Sequence, residues 1–289
     1  MLLLIDGNPI VHRSFHAIPQ TIKTSKGELT NATLGFTNSV LSLIEHFKPE
    51  SIACAFDTSK KTFRHERYEE YKATRVEAPQ GLYDQLPRIF SILKALNIAT
   101  ITAPGYEADD IIGTLVDMAE KAKLRGVIIV SGDNDFIQLV SPLTSFYSIS
   151  RGLQKAVTFT PEKVKETSQL SPEQWIDYKA LRGDPSDNLI GIPGIGEKTA
   201  KELLLKWHDL DGIYTHIEEL KPQTKKKLIE NKESAILTKE LVTIHRQVPL
   251  DVTLKDLAYQ EPNNVEMYNL CTELEFRKLA ERFENSALF

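Results

Sequence analysis

Each apolar run in the first half of this chain stops at an acidic residue. Leu2-Leu3-Leu4-Ile5 runs into Asp6, and Ile52-Ala53-Cys54-Ala55-Phe56 runs into Asp57. Val127-Ile128-Ile129-Val130 leads to Asp133 and Asp135, and Ile98-Ala99-Thr100-Ile101 leads through Gly105 to Glu107, Asp109 and Asp110. Short continuous apolar runs bounded by turn residues read as strands of a parallel sheet, buried on both faces. Such sheets place ligands outside the carboxyl ends of their strands. Carboxylates far apart in sequence should therefore converge on one sheet edge. Crowded anions take up protons unless a cation neutralises them, so the pattern predicts bound divalent metal.

Strands at about 2–5, 51–56, 98–102, 127–131 and 145–149 alternate with helical patterns at about 33–47, 80–96 and 109–123. This alternation predicts βαβ units. Ile111, Ile112, Leu115, Val116 and Ala119 recur at helical spacing and give the third helix a face for the sheet. From about 160 onward no strand pattern stands out. Helices are expected around Trp175–Leu181 and Ala200–Trp207, and over about 232–246 and 263–284. The stretch from Thr62 to Pro79 interleaves Arg64, Arg67, Lys72 and Arg75 with Phe63, Tyr68 and Tyr71. It lacks an apolar stripe and reads as an exposed excursion from the sheet.

Lys and Arg number 35 against 40 Asp and Glu, a net charge of -5. That excludes a uniformly basic nucleic-acid coat but leaves room for a basic patch, because much of the acid is committed to one cluster. Two cysteines, Cys54 and Cys271, argue against a disulfide scaffold or a zinc site. Met1 to Ile5 is apolar but reaches Asp6 at once, too soon for a signal or membrane helix, so a cytoplasmic protein is expected.

Each acid has an ordinary explanation when taken alone. Asp6 and Asp57 suit strand-to-loop turns, and Glu107, Asp109 and Asp110 suit the start of a helix. Asp133 and Asp135 are two apart, so an extended backbone would point them the same way. Asp184 and Asp187 are three apart, aligned by one helical turn, or are turn residues of Asp184-Pro185-Ser186-Asp187-Asn188. Their coincidence at one edge is what the ordinary explanations leave out. Oxygen-only ligands favour a hard cation, Mg²⁺ or Mn²⁺. The surplus of carboxylates suggests two ions roughly 4 Å apart, as in phosphodiester cleavage.

A second signal is Gly191-Ile192-Pro193-Gly194-Ile195-Gly196-Glu197-Lys198-Thr199-Ala200. Bare glycine N–H groups leading into a helix make a ready phosphate site. Lys198 and Lys201 lie in its first turns, where the helix dipole does not favour them and an external anion would. The ordinary alternative is a Gly-Pro turn between packed helices, with Ile192 and Ile195 as core.

Further segments join these: Leu4-Ile5-Asp6-Gly7-Asn8, Thr30-Asn31-Ala32, Thr62-Phe63-Arg64-His65-Glu66, Tyr71-Lys72-Ala73-Thr74-Arg75, Gly105-Tyr106-Glu107-Ala108-Asp109-Asp110 and Ser131-Gly132-Asp133-Asn134-Asp135. Together, from Leu2 to about Phe283, the chain resembles the 5′ nuclease family. That family includes the amino-terminal domain of bacterial DNA polymerase I, free-standing bacterial and phage 5′ exonucleases, and flap endonucleases.

The resemblance implies a PIN-like α/β fold whose mostly parallel sheet is flanked by helices. It implies a catalytic domain over 1–170 with an arch at about 62–90. A helical DNA-binding subdomain would follow over 171–289, with a helix–three-turn–helix at about 184–206. Asp6, Asp57, Glu107 and Asp109 would serve a first metal, with Asp110 close by. Asp133, Asp135 and Asp187 would serve a second, with Asp184 in support. Water would attack the scissile phosphorus in line, leaving a 5′-phosphate and a 3′-hydroxyl. Lys72 and Arg75 would steady the developing charge from the arch.

Arg13, Arg64 and Tyr71 would touch DNA. Gly191, Gly194, Gly196, Lys198, Thr199 and Lys201 would grip duplex phosphates, with K⁺ held by the loop carbonyls. The implied partners are DNA flaps and 5′ ends, RNA–DNA hybrids, and a polymerase domain or replication proteins; a monomer is expected. Thr74, His12 and His16 depart from the family pattern, which would alter substrate handling without removing the chemistry. Two rivals stay open: a non-catalytic binder of DNA structures, and a PIN-like RNase.

Overall fold

The computed structural model describes residues 1–58 and 61–287. Its frame is a six-stranded sheet in the order β3-β2-β1-β4-β5-β6. The strands are β1 (Leu2–Asp6), β2 (Ser51–Ala55), β3 (Ala99–Ile101), β4 (Val127–Ser131), β5 (Thr144–Ser148) and β6 (Val157–Phe159). All neighbours pair in parallel except β6, which runs antiparallel to β5. The strand order reverses between β1 and β4, the switch point where doubly wound sheets open a crevice.

Alternate residues of β1 enter different cores, as the two-residue strand period requires. Leu3 and Ile5 pack with Phe36, Ile92 and Phe283. They lie under α1 (Gly7–Ala17), α2 (Asn31–Phe47), α5 (Leu86–Ala95), α13 (Asn264–Glu273) and α14 (Arg277–Ala287). Leu2 and Leu4 pack with Ile111, Leu115 and Val116 of α6 (Ala108–Lys121) on the other face. A separate core holds Leu181, Ile195, Leu204 and Leu228. Around it stand α8 (Gln174–Arg182), α9 (Glu197–Trp207), α10 (Leu210–Thr215), α11 (Pro222–Glu230) and α12 (Lys232–Val242), whereas α7 (Pro161–Ser168) packs Val164 into the core on the α6 face of the sheet. Among the described residues no helix is long and apolar enough to cross a membrane.

Several expectations need correction. The helix expected at 80–96 is two, α4 (Gln80–Tyr83) and α5, because Pro87 lies at the start of a new helix. The tail expected over 263–284 is interrupted where Glu275 takes a left-handed φ of 58°. Two short strands, β7 (Gly183–Asp184) and β8 (Leu189–Ile190), pair where none was expected. The basic stretch after Thr62 is not simply exposed. It opens with α3 (Phe63–Arg67), and it buries Arg64 and Tyr71 at 2% and 3% exposure.

Candidate active site

The carboxyl ends of β1, β2 and β4 bring the first acids together. Asp6 ends β1 and is buried, and the Ser131 hydroxyl at the end of β4 donates to its Oδ2 at 2.6 Å. Asp57 follows β2. Its Oδ1 accepts from the backbone N–H of Ala108 at the start of α6, 2.7 Å away, and its Oδ2 from Asn8 Nδ2 at 2.5 Å. The helix dipole favours an anion there. Glu107 caps α6 in a reciprocal capping box with Asp110. Asp6, Asp57, Glu107, Asp109 and Asp133 line a cavity of about 270 Å³ with His12, Lys72 and Arg75.

Burial pushes the Asp6 carboxyl up to about 8, and the nearby Asp57 and Asp133 push the same way. Asp109 is raised well above the usual carboxylate range, first by burial and then by Asp6 and Asp133. Lys72 pulls both carboxyls down, but by less than burial and the neighbouring acids push them up.

Asp135, Asp184 and Asp187 form a second group, each offering an oxygen within 4.8 Å of the others. The extended backbone expected through Asp133 and Asp135 is not there. The strand ends before them, and Asp133 caps a 3₁₀ turn over Asn134–Leu139, accepting from the Asp135 N–H. Asp133 and Asp135 both line the cavity that holds Asp184, and Asp133 also lines the one that holds Asp6. Asp184 caps a 3₁₀ turn over Pro185–Asp187 and accepts from Ser186 Oγ at 2.6 Å. Burial opposes its charge, yet Lys179 and Ser186 hold it below the usual range.

Cations already sit on these acids. Lys179 Nζ bridges Asp135 and Asp184, the latter at 2.7 Å. Arg75 NH2 meets Asp187 Oδ1 at 2.5 Å, and Lys72 Nζ meets Glu107 Oε2 at 2.9 Å. The segment after Thr62 is also strapped down by its backbone, since the Lys72 N–H donates to the Asp187 carbonyl at 3.0 Å. Nothing in the sequence pattern singled out Lys179. Its spacing from Asp184, one turn and a residue away, is the only available hint. With Arg13, Arg75 and Arg182 it lines a cavity of about 530 Å³ beside the second acid group.

Three expected roles are corrected. Arg64 does not face solvent. Its guanidinium donates to both oxygens of Asp110, to Glu107, and to the carbonyls of Leu241 and Thr243. Asp110 in turn accepts from Arg64 and from the N–H groups of Glu107 and His245, which leaves no open face for a metal. Tyr71 is buried too, its hydroxyl shared between Glu107 Oε2 at 3.2 Å and Asp187 Oδ2 at 3.1 Å. Arg13 is exposed and reaches the Ser150 carbonyl at 2.5 Å.

In the glycine-rich segment, Gly191 is a crossing point. An added Cβ would lie 2.2 Å from the Gly183 nitrogen and 2.6 Å from the Leu181 carbonyl oxygen. Gly196 caps α9 without a side chain, so the first-turn N–H groups of Lys198 and Thr199 have no side-chain acceptor from their cap. Lys201 pairs with Glu197 at 2.6 Å. Several carbonyls in and around this loop already accept hydrogen bonds. The Ile190 carbonyl accepts from Ser234 and Thr238, the Ile192 carbonyl from the Ile195 N–H, and the Gly194 carbonyl from Lys227.

Residues 1–169 match the family model described as "5'-3' exonuclease, N-terminal resolvase-like domain", and 170–265 that described as "5'-3' exonuclease, C-terminal SAM fold". DNA polymerase I of Bacillus subtilis is 41% identical over 288 residues, covering 99% of this chain and 32% of the polymerase. The chain thus spans about a third of the length of the curated polymerases it matches. A bacteriophage T5 protein co-crystallised with metal ions superposes with a TM-score of 0.69 at 20% identity, covering 99% of this chain and 98% of that one. A T5 flap endonuclease in a pseudo-enzyme–product complex with DNA and metal ions gives 0.65 at 20%, covering 100% and 99%. With family models over 1–169 and 170–265 and a relative 41% identical along 99% of the chain, the chain belongs to the 5′–3′ exonuclease family.

Proposed function

We propose that this chain is a divalent-metal-dependent 5′–3′ exonuclease and structure-specific 5′ flap endonuclease that leaves a 5′-phosphate and a 3′-hydroxyl. The observation that carries this reading is the arrangement of two acid groups at one sheet edge, joined by Asp133 and faced by Lys72 and Arg75. The all-oxygen donor set fits Mg²⁺ or Mn²⁺. Asp6, Asp57, Glu107 and Asp109 would hold one ion, and Asp135, Asp184 and Asp187 a second, with Asp133 between them. The bound ions would supply an ionised water and positive charge at the phosphate.

The chain's own groups do the rest. Burial opposes charge on Lys72, but Glu107 and Asp187 hold its ammonium above the usual lysine range, so it stays cationic over the cleft. Arg75 is likewise kept charged by Asp187 against its burial. Tyr71 holds Glu107 and Asp187 in register from the arch side. Arg13 and Arg182 extend positive charge along the larger cavity, where a nucleic-acid backbone would run. Lys198, Thr199 and the bare N–H groups beside Gly194 and Gly196 would grip a duplex by its phosphates. Such contacts set position rather than read sequence.

The setting would be primer removal and repair in the cytoplasm. DNA 5′ ends and flaps would be substrates, RNA–DNA hybrids further ones, and a polymerase domain the companion, with the unit working as a monomer.

The test is a labelled 5′-flap duplex incubated with Mg²⁺ or with chelator, beside an Asp135→Asn variant. Mg²⁺-dependent cutting near the junction, lost in the variant, is the expected result. Tight binding without cutting in either Mg²⁺ or Mn²⁺ would make the protein a structural DNA binder instead.

A further inference from the structure

The two acid groups draw on separate elements, and one extended segment binds both. Glu107, Asp109 and Asp110 open α6, whereas Asp133 and Asp135 belong to the 3₁₀ turn over Asn134–Leu139. The chain leaving α12, from Leu241 to His245, turns alternate backbone groups to opposite sides, as extended backbone does. On one side the Leu241 and Thr243 carbonyls accept from Arg64 at 2.8 and 3.1 Å, and the His245 N–H donates to Asp110 Oδ1 at 2.8 Å. On the other, Gln138 Nε2 donates to the Val242 carbonyl at 3.0 Å, and its Oε1 accepts from the Ile244 N–H at 2.9 Å.

Gln138 is buried, three residues from Asp135 on the same 3₁₀ turn, and lines neither of the acid-bearing cavities. A carboxamide offers a donor and an acceptor from one planar end, which suits a carbonyl and an N–H two residues apart. Arg246 adds a bond to the Gln138 carbonyl at 3.2 Å. The segment itself has little room to move. Ile244 and Val248 are buried in the core on the α6 face, and a Cβ on Gly113 of α6 would lie 2.5 Å from Ile244 Cγ2. The Val248 N–H donates to Thr114 Oγ1 at 3.0 Å, and upstream Lys239 of α12 pairs with Asp177 of α8 at 2.6 Å.

We infer that Gln138 is a positioning residue that sets the spacing between the two acid groups. It acts through Val242 and Ile244, which tie the turn carrying Asp133 and Asp135 to the Arg64–Asp110 fork beside Glu107. This rests on the reading of the acids as a two-ion site. With the clip removed, the turn is free to shift against α6. Ions held on the two sides then keep their ligands but change their separation.

The test compares the full chain with Gln138→Met, which keeps the side chain's length and removes both hydrogen bonds. Gln138→Asn keeps the carboxamide but falls one methylene short. Ile213→Val, in the separate helical core, controls for lost stability, with thermal melts to establish that each variant folds. Mn²⁺ is titrated into each protein and followed by electron paramagnetic resonance, where spin–spin coupling between bound ions reports their separation. Wild type and Ile213→Val should give one and the same coupled-pair spectrum, and both Gln138 variants should bind two ions with altered coupling. Their single-turnover rate on a labelled flap duplex should fall about 10²-fold, the order expected for a misplacement of about 1 Å. The dissociation constant in chelator should stay the same. A wild-type spectrum in a folded Gln138 variant would overturn the inference, as would the same altered coupling in Ile213→Val. Wild-type protein that binds no coupled pair would instead remove the two-ion reading itself. Should Gln138→Met fold poorly, Gln138→Asn carries both readouts.

Discussion

Arg64 and Asp110 face one another as a buried fork, with guanidinium nitrogens 2.7 and 2.8 Å from the two carboxylate oxygens. Burial works against the Arg64 charge, but Asp110 and Glu107 more than compensate and raise its pKa. Removing one member of such a pair leaves the other charged in a dry site, at a cost of about 3–5 kcal/mol. Arg64→Ala should therefore lower the melting temperature strongly and loosen Glu107, which shares the capping box with Asp110. The salt dependence of DNA binding should not change in the folded fraction. A flatter salt slope would return Arg64 to the phosphate-contacting role that the family resemblance implied.

Lys72 is the cation most firmly set over the first acid group, tied to Glu107 by its side chain and to Asp187 by its backbone. A preorganised donor of this kind acts on charge that develops during reaction. Its loss typically costs about 10²–10³ in rate. Lys72→Ala should lower the single-turnover rate on a flap duplex by that order while leaving the dissociation constant measured in chelator little altered. An unchanged rate would remove Lys72 from the chemistry.

Stability should run the opposite way to that of most acid-rich proteins. Asp6 rises from an ordinary value of 3.8 to about 8, chiefly by burial, and Asp109 rises for the same reason. A carboxyl raised on folding keeps, in the native state, a proton that the unfolded chain has lost. Without metal, stability should then fall as pH climbs from about 4 towards about 8. Asp184, held below its ordinary range by Lys179 and Ser186 against its burial, contributes only below that window. Melting in chelator should give a lower midpoint at about pH 8 than at about pH 5.5, with the gap closed by Mn²⁺ and narrowed in Asp6→Asn. A midpoint that rises with pH in chelator would contradict this account.

The sheet was legible because strands buried on both faces must be continuously apolar, so Leu2–Ile5 and Val127–Val130 announced themselves. β6 was not, because Val157–Phe159 lies at an edge, short and mostly exposed. The acids at the sheet edge were legible by where the strands ended. Their partners were not, because burial of a charge depends on residues distant in sequence. Arg64 is buried only because Asp110 and the carbonyls of Leu241 and Thr243 arrive from elsewhere in the chain. Tyr71, flanked by charge, looked like an exposed aromatic until Glu107 and Asp187 supplied acceptors for its hydroxyl. In the glycine-rich loop the packing alternative is realised in part, since Ile192 and Ile195 are buried in the helical core, but that Gly191 lies where two backbone segments cross was not legible.

Lys179 is where this missing information matters most. Its ammonium lies among the acids proposed for the second ion, bridging Asp135 and Asp184. Without metal it lowers the repulsion among three buried carboxylates. An entering divalent cation must share those oxygens with it or displace it. Lys179→Met removes this internal counter-ion with little change in bulk. Two effects of opposite sign should follow: a lower melting temperature in chelator, because the acids lose their partner, and tighter Mn²⁺ binding, because the competing charge is gone. Calorimetric titration of Mn²⁺ into wild-type and variant protein, with melts in chelator, reads both. Weaker Mn²⁺ binding in a folded variant would mean that Lys179 orients the ligands rather than competing for them.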